Sequence, residues 1–260
     1  MQSSATKFDT ACKCGNIFDL HYGKGLSRPG TRHTHVGQGT HRTIAKDMTS
    51  KIETGVLLRD DEVADMARDF LNEAWEEAGV RLLPDERTIG ELKLKGQSVD
   101  ETIRLTTLHH KELAPSLEPV SVERKFDLKI PGTEDNIIGF IDIEEAPDDK
   151  FRIRDTKTSK AAPKKTALRD SIQMGIYSLA VYAEKGTIPE SRLDFLVKTK
   201  QPRIEIVSGQ KTELELGAII RRAIRVIDCI KAGKIPPAVP GSDWWCSPEW
   251  CGFWDICKYV

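Results

Sequence analysis

The chain has 260 residues, 39% of them hydrophobic, and a formal net charge of -1, enough to bury one good-sized core and too nearly neutral to hold a polyanion by bulk attraction. No apolar run approaches the roughly 18 residues of a membrane span, and the opening Met1-Gln2-Ser3-Ser4-Ala5 lacks the basic-then-apolar order of a secretory leader, so a cytoplasmic protein without membrane contact is expected. Six cysteines are too few for a disulfide scaffold in that compartment, which turns attention to their positions.

In chain order, a helix opens over Val36 to about Lys46, and a clearer one covers Asp60 to Ala78, with Val63, Ala67, Phe70, Ala74 and Trp75 at helical spacing. A third is predicted near Val99 to Leu113, giving a helical region of about 48-118. Strands follow at Val120 to Ile130, Asn136 to Glu144 and Lys150 to Thr158, the last two joined by the turn-forming Ala146-Pro147-Asp148-Asp149. Beyond them come a helix over Thr166 to Glu184, strands Leu193 to Lys200 and Arg203 to Val207, and a helix from Thr212 to Ala232 that Pro236, Pro237 and Pro240 terminate. Mixed strands flanked by helices make an α/β (α+β mixed) domain. One domain over 1-260 is expected, with its core at about 119-210 and a C-terminal helix and tail at 211-260.

Charge reverses sign across the hairpin. Residues 134-149 hold seven acids and no base, whereas 150-169 carry Lys150, Arg152, Arg154, Lys157, Lys160, Lys164, Lys165 and Arg169 against Asp155 alone. In the second strand Asp155 and Lys157 share a face with Phe151 and Ile153, and in the first Asp142 shares one with Ile138 and Phe140. A symmetric turn between Asp148 and Asp149 puts Asp142 opposite Asp155, about 5 Å apart at Cβ. Two facing carboxylates repel unless one is protonated or a cation sits between them. Mg2+ or Mn2+ would resolve that conflict, and Lys157 could then orient or help deprotonate an attacking water.

Gly139-Phe140-Ile141-Asp142 followed by Arg154-Asp155-Thr156-Lys157 resembles the RecB-like branch of the PD-(D/E)xK nucleases, and further elements occur in that family's order. Glu123 of Val122-Glu123 resembles its upstream glutamate. Gly37-Gln38-Gly39-Thr40-His41 is similar to its Gly-x-x-x-His helix, which implies His41 as a metal ligand, with His33 and His35 as nearby competitors. Gln173-Met174-Gly175-Ile176-Tyr177 resembles its Gln-x-x-x-Tyr helix. The resemblance implies a restriction-endonuclease-like core in which Asp142, Asp155, Lys157 and Glu123 are catalytic. His41, Asp142, Asp155 and the Thr156 carbonyl would hold Mg2+ or Mn2+. Gln173 and Tyr177 would contact DNA, and Lys160, Lys164 and Lys165 would supply a phosphate track.

Cys246, Cys251 and Cys257 can converge from one loop, and a tetrathiolate site needs a fourth ligand from Cys12 or Cys14. Cys14 followed by Phe18 resembles the start of iron-sulfur members of the family, among them CRISPR-associated RecB-like exonucleases and the AddB nuclease domain. That implies a [4Fe-4S] cluster on Cys14, Cys246, Cys251 and Cys257, shielded by tryptophans 244, 245, 250 and 254. Gly15 and Lys258 depart from the pattern, so Cys12 stays open, and zinc is the competing occupant. Cys229 reads as a buried helix residue. The chain has no phosphate loop and hence no motor of its own, leaving room for a recombination or helicase partner protein. The expected function is a metal-dependent exonuclease on single-stranded DNA or DNA ends, the alternative being a non-catalytic iron-sulfur DNA-binding module.

Overall fold

The structure is a computed structural model that describes residues 2-147, 150-240, 242-243, 245-248 and 250-257. Its centre is a mixed six-stranded sheet in the order β1-β3-β4-β5-β6, with β2 also paired to β3. The strands are β1 (Gln2–Ser4), β2 (Pro119–Lys129), β3 (Asn136–Glu145), β4 (Arg152–Ser159), β5 (Glu190–Val197) and β6 (Arg203–Gln210). β2 and β3 run antiparallel, as do β3 with β4 and β5 with β6, while β4 and β5 are parallel. The parallel pair needs a crossover, and α6 (Ala167–Asp170) and α7 (Ile172–Lys185) supply it.

Helices cover both faces. On one, α1 (Ala5–Lys13), α7 and α8 (Glu213–Lys231) bury Phe8, Met174, Ile176 and Ile227 against Phe126, Ile137, Ile141, Ile153 and Leu193 of the sheet. On the other, α3 (Arg32–Thr54), α4 (Asp60–Ala78) and α5 (Glu91–Glu112) pack Val36, Met48, Leu71 and Leu105 onto Ile143 and Leu196. Leu193 and Leu196 thus enter opposite cores from one strand. Local chemistry fixes the ends: Thr31 caps α3 by accepting the Thr34 N–H, and Gly55, at φ 80°, closes it. Thr212 and Glu215 form a capping box on α8.

The expected α/β layers and the Asp60–Ala78 helix are present, and the other expected elements are found with shifted ends. The Thr166 to Glu184 helix is in fact two, because the Ser171 hydroxyl accepts the Met174 N–H, leaving Ser171 extended and starting α7 afresh. The N-terminal β1, α1, α2 (Gly15–Phe18) and a π-helical turn over Asp19–Gly23 were not anticipated. Three residues in β1 give no periodicity to read. The expected turn at Asp148 and Asp149 lies outside the described residues, as do Trp244 and Lys258. Among the described residues, no helix is long and apolar enough to cross a membrane.

Candidate active site

The β3–β4 register pairs Ile143 with Arg154, Glu144 with Ile153 and Glu145 with Arg152. One step further, at Asp142 and Asp155, the ladder stops. β1 takes over the same edge of β3 at Asn136, Ile137 and Ile138, so β3 is shared by two partners and residues 139-142 lie in the fork between them. The Asp142 side chain bridges the opening: its Oδ2 accepts the Thr156 N–H of β4 at 3.2 Å. Gly139 is required here, because a Cβ would lie 2.6 Å from the Phe126 ring and 3.2 Å from Ala5, which opens α1.

His41 reaches the fork from α3. A Cβ at Gly39 would meet the Leu71 nitrogen at 3.4 Å, so glycine lets α3 lie close to α4. The His41 Nδ1 sits 3.1 Å from Asp142 Oδ2. Of its competitors, His35 is buried and bonded through Nε2 to the Gly79 carbonyl, and His33 faces Lys198. Glu123 is opposite Asp142 on β2, bracketed by the pairs Val122–Ile143 and Arg124–Ile141. Its φ of 48° makes it, among the described residues, the one non-glycine in the left-handed region. His41, Glu123, Asp142 and Thr156 line a cavity of about 10 Å3, room for roughly one water-sized body.

The acids have opposite electrostatics. Burial pushes Asp155 up to about 6, and the charge of Asp142 adds to the rise. Burial also acts against ionised Asp142, but its bond to His41, the charges of His41 and Lys157 and the Thr156 N–H outweigh it and bring its pKa down. For His41, desolvation is outweighed by Asp142 and the pKa rises. Glu123 is raised by burial and then by Asp142. This is the splitting expected of carboxylates sharing one site.

Lys157 donates to Asp155 Oδ1 at 2.9 Å and to Gln173 Oε1 at 2.8 Å, and burial is outweighed by Asp155 so that its ammonium is favoured. The Gln173 amide donates to the Tyr177 hydroxyl at 2.7 Å, one turn along α7. Burial pushes the Tyr177 phenol up, with Asp142 and Asp155 adding to the rise. Lys160, Lys164 and Lys165 are exposed on the connection after β4. Two arginines of the expected basic stretch are less available than its composition suggests. Arg154 is buried between Glu145 and Asp194, and Arg152 pairs with Glu190. Lys13 of α1 and Arg222 of α8 help wall a cleft of about 400 Å3 beside Lys157 and Gln173; no spacing in the sequence marks them.

Burial and then the charges of Cys14, Cys251 and Cys257 raise Cys246, and burial raises Cys251, with Cys14 and Cys257 adding to the rise. Cys12 instead faces Arg222, Asp9 and Lys13, and burial raises its thiol. Among the described residues, no three or more His, Cys, Asp or Glu side chains are arranged as a metal site.

A mixed sheet that forks at an acid pair, with a lysine two residues on, defines the class of α/β nucleases. The chain belongs to the PD-(D/E)XK nuclease superfamily, whose profile matches residues 2-258. Among solved structures, a "Putative exonuclease" from Eubacterium rectale shares the fold at 12% identity and a TM-score of 0.55, over 94% of this chain and 86% of that one. SSO0001 is 16% identical over 94% of this chain and 95% of its own, with a TM-score of 0.39. No curated protein matches. PD-(D/E)XK nucleases generally use divalent metals such as Mg2+ or Mn2+, and the fork suits such an ion. Asp155 Oδ2 is buried and, although 2.7 Å from Lys157 Nζ, has no hydrogen bond of good geometry. The 3.1 Å between His41 Nδ1 and Asp142 Oδ2 is close to the separation of adjacent ligands on one ion at about 2.1 Å.

Proposed function

We propose that the chain is an Mg2+- or Mn2+-dependent deoxyribonuclease of the RecB-like branch, hydrolysing phosphodiesters of single-stranded DNA or DNA ends in recombination, repair or phage- or CRISPR-related processing. The observation that carries this reading is the fork one step past the last β3–β4 pair, where Asp142 accepts the Thr156 N–H and Lys157 is held on Asp155 and Gln173. Asp142, Asp155, His41 and Thr156 would hold the ion, with Glu123 beside them. When bound, the ion supplies Lewis-acid polarisation of the scissile phosphodiester. Asp155 and Gln173 fix the Lys157 ammonium so that it can orient the attacking water and offset charge on the phosphate. Gln173 and Tyr177 contact the strand, and Lys160, Lys164 and Lys165 hold its phosphates.

The reading includes a [4Fe-4S] cluster on Cys14, Cys246, Cys251 and Cys257, which rests on the cysteine pattern that resembles iron-sulfur members of the family. It treats residues 1-260 as one working unit. The test is cleavage of end-labelled single-stranded and duplex DNA with and without Mg2+ or Mn2+. Asp142→Ala and Asp155→Ala should each lower cleavage roughly a thousand-fold, the equivalent of about 4 kcal/mol, with the melting temperature retained. Undiminished cleavage by either variant, or by wild type in a chelator, would refute it.

A further inference from the structure

Beyond the fork, β2 and β3 continue as a hairpin with unequal faces. Phe126, Leu128, Ile137 and Ile141 point into the core under α1, α7 and α8. The alternate residues Lys125, Asp127 and Phe140 point the other way and are exposed. Phe140 is 51% exposed and, among the described residues, the one phenylalanine so placed. It is the direct cross-strand partner of Lys125, which has no ion-pair partner among the described residues. Regular alternation breaks at Asp142 and Glu123, where Ile141 and Ile143 enter opposite cores; Phe140 and Lys125 lie two residues from them, roughly 7 Å along the strands.

An aromatic plane and an uncommitted cation therefore stand side by side, two residues from Asp142 and Glu123 and on the side of the sheet away from α1, α7 and α8, the side from which α3 brings His41 to Asp142. A single exposed aromatic is ordinary on a protein surface; here its continuity with the fork and its lysine neighbour give it an occupant. We propose that Phe140 and Lys125 form a nucleotide subsite next to the reacting phosphodiester, Phe140 stacking on an unpaired base and Lys125 meeting the adjoining phosphate. The inference rests on the nuclease reading and sharpens it. A base paired within a duplex has both faces already stacked, so this subsite selects a strand that is single on the β2–β3 side of the cut. Stacking of this kind is tolerant of sequence, so the subsite chooses strand state and leaves base identity open.

Binding measured without divalent ion isolates the subsite from the chemistry. For labelled oligothymidylate, Phe140→Ala should weaken binding roughly ten-fold, within the usual range for one lost base stack, and Phe140→Trp should restore it. For the abasic counterpart of that oligonucleotide, wild type and Phe140→Ala should bind alike. Lys125→Ala should lower the salt slope of binding by about 0.7 for both probes, the loss of one phosphate contact on a single strand. The exposed position should leave the melting temperature unchanged in each variant. Equal binding of oligothymidylate by wild type and Phe140→Ala overturns the subsite, as does an equal loss on the abasic probe. Wild type that binds as described but cleaves nothing with Mg2+ or Mn2+ would sink the nuclease reading and leave the subsite standing.

Discussion

Arg154 offers the strongest test of how the sheet is held together. It is among the largest fully buried side chains, 2% exposed, with Nη1 at 2.7 and 2.8 Å from the two Asp194 oxygens and Nε on Glu145. Arg154→Met removes the cation, leaves Asp194 without its partner and leaves Glu145 only the longer 3.5 Å contact to Arg152, a change worth about 3-5 kcal/mol. For a chain of this size that corresponds to a melting temperature roughly 6-20 °C lower. Glu145 also accepts the Glu118 N–H at 3.0 Å, so the compensating variant adds Asp194→Leu and Glu145→Gln, keeps that acceptor, and should recover most of the loss.

The sign with pH separates this account from simple loss of packing. In the wild type, burial of Glu145 is outweighed by Arg154 and its pKa is lowered, so its contribution is present above its unfolded pKa and fades as pH falls through the folded one. Asp194 is raised by burial despite Arg154. Without the arginine both acids move up, native protein then binds more protons than unfolded, and stability falls as pH rises. The deficit of Arg154→Met should therefore be smaller near about pH 5 than near about pH 8 in urea unfolding. A deficit under about 1 kcal/mol, or one unchanged with pH, would refute the reasoning.

Gly139→Val should destabilise by about 1-3 kcal/mol through overpacking against Phe126, seen as a lower urea midpoint. Glu123→Gly should be more stable than Glu123→Ala by about 1 kcal/mol, the reverse of the usual order within a strand, because only glycine adopts φ 48° freely; the two denaturation midpoints decide it, and both variants should cleave poorly. Anaerobically purified wild type should be brown and contain iron and sulfide. Cys14→Ala should bleach it and Cys12→Ala should not, whereas colourless protein with stoichiometric zinc would overturn the cluster.

Much of the site was legible because strand chemistry is local. Asp155 and Lys157 two residues apart, and a short turn after Asp142, were enough to give the observed register. Gln173 and Tyr177 were legible for the same reason, one helical turn separating them. What escaped depends on contacts far apart in sequence. Arg154 counts as a surface base until Glu145 and Asp194 are seen to enclose it. The backbone twist at Glu123 has no residue signature, since glutamate seldom adopts it. Lys13 and Arg222 join the cleft only because α1 and α8 pack on the same face.

The sharing of β3 has a consequence for the order of events during synthesis. Gln2 to Ser4 are made before α3, α4 and α5, yet their partners begin at Asn136, so β1 must wait unpaired while the helices of that layer are made. Its pairing carries a long loop-closure delay and belongs among the slow, non-local steps of folding. A nascent chain thus carries one edge of its fork early, but cannot close it until Asn136 to Ile138 have emerged.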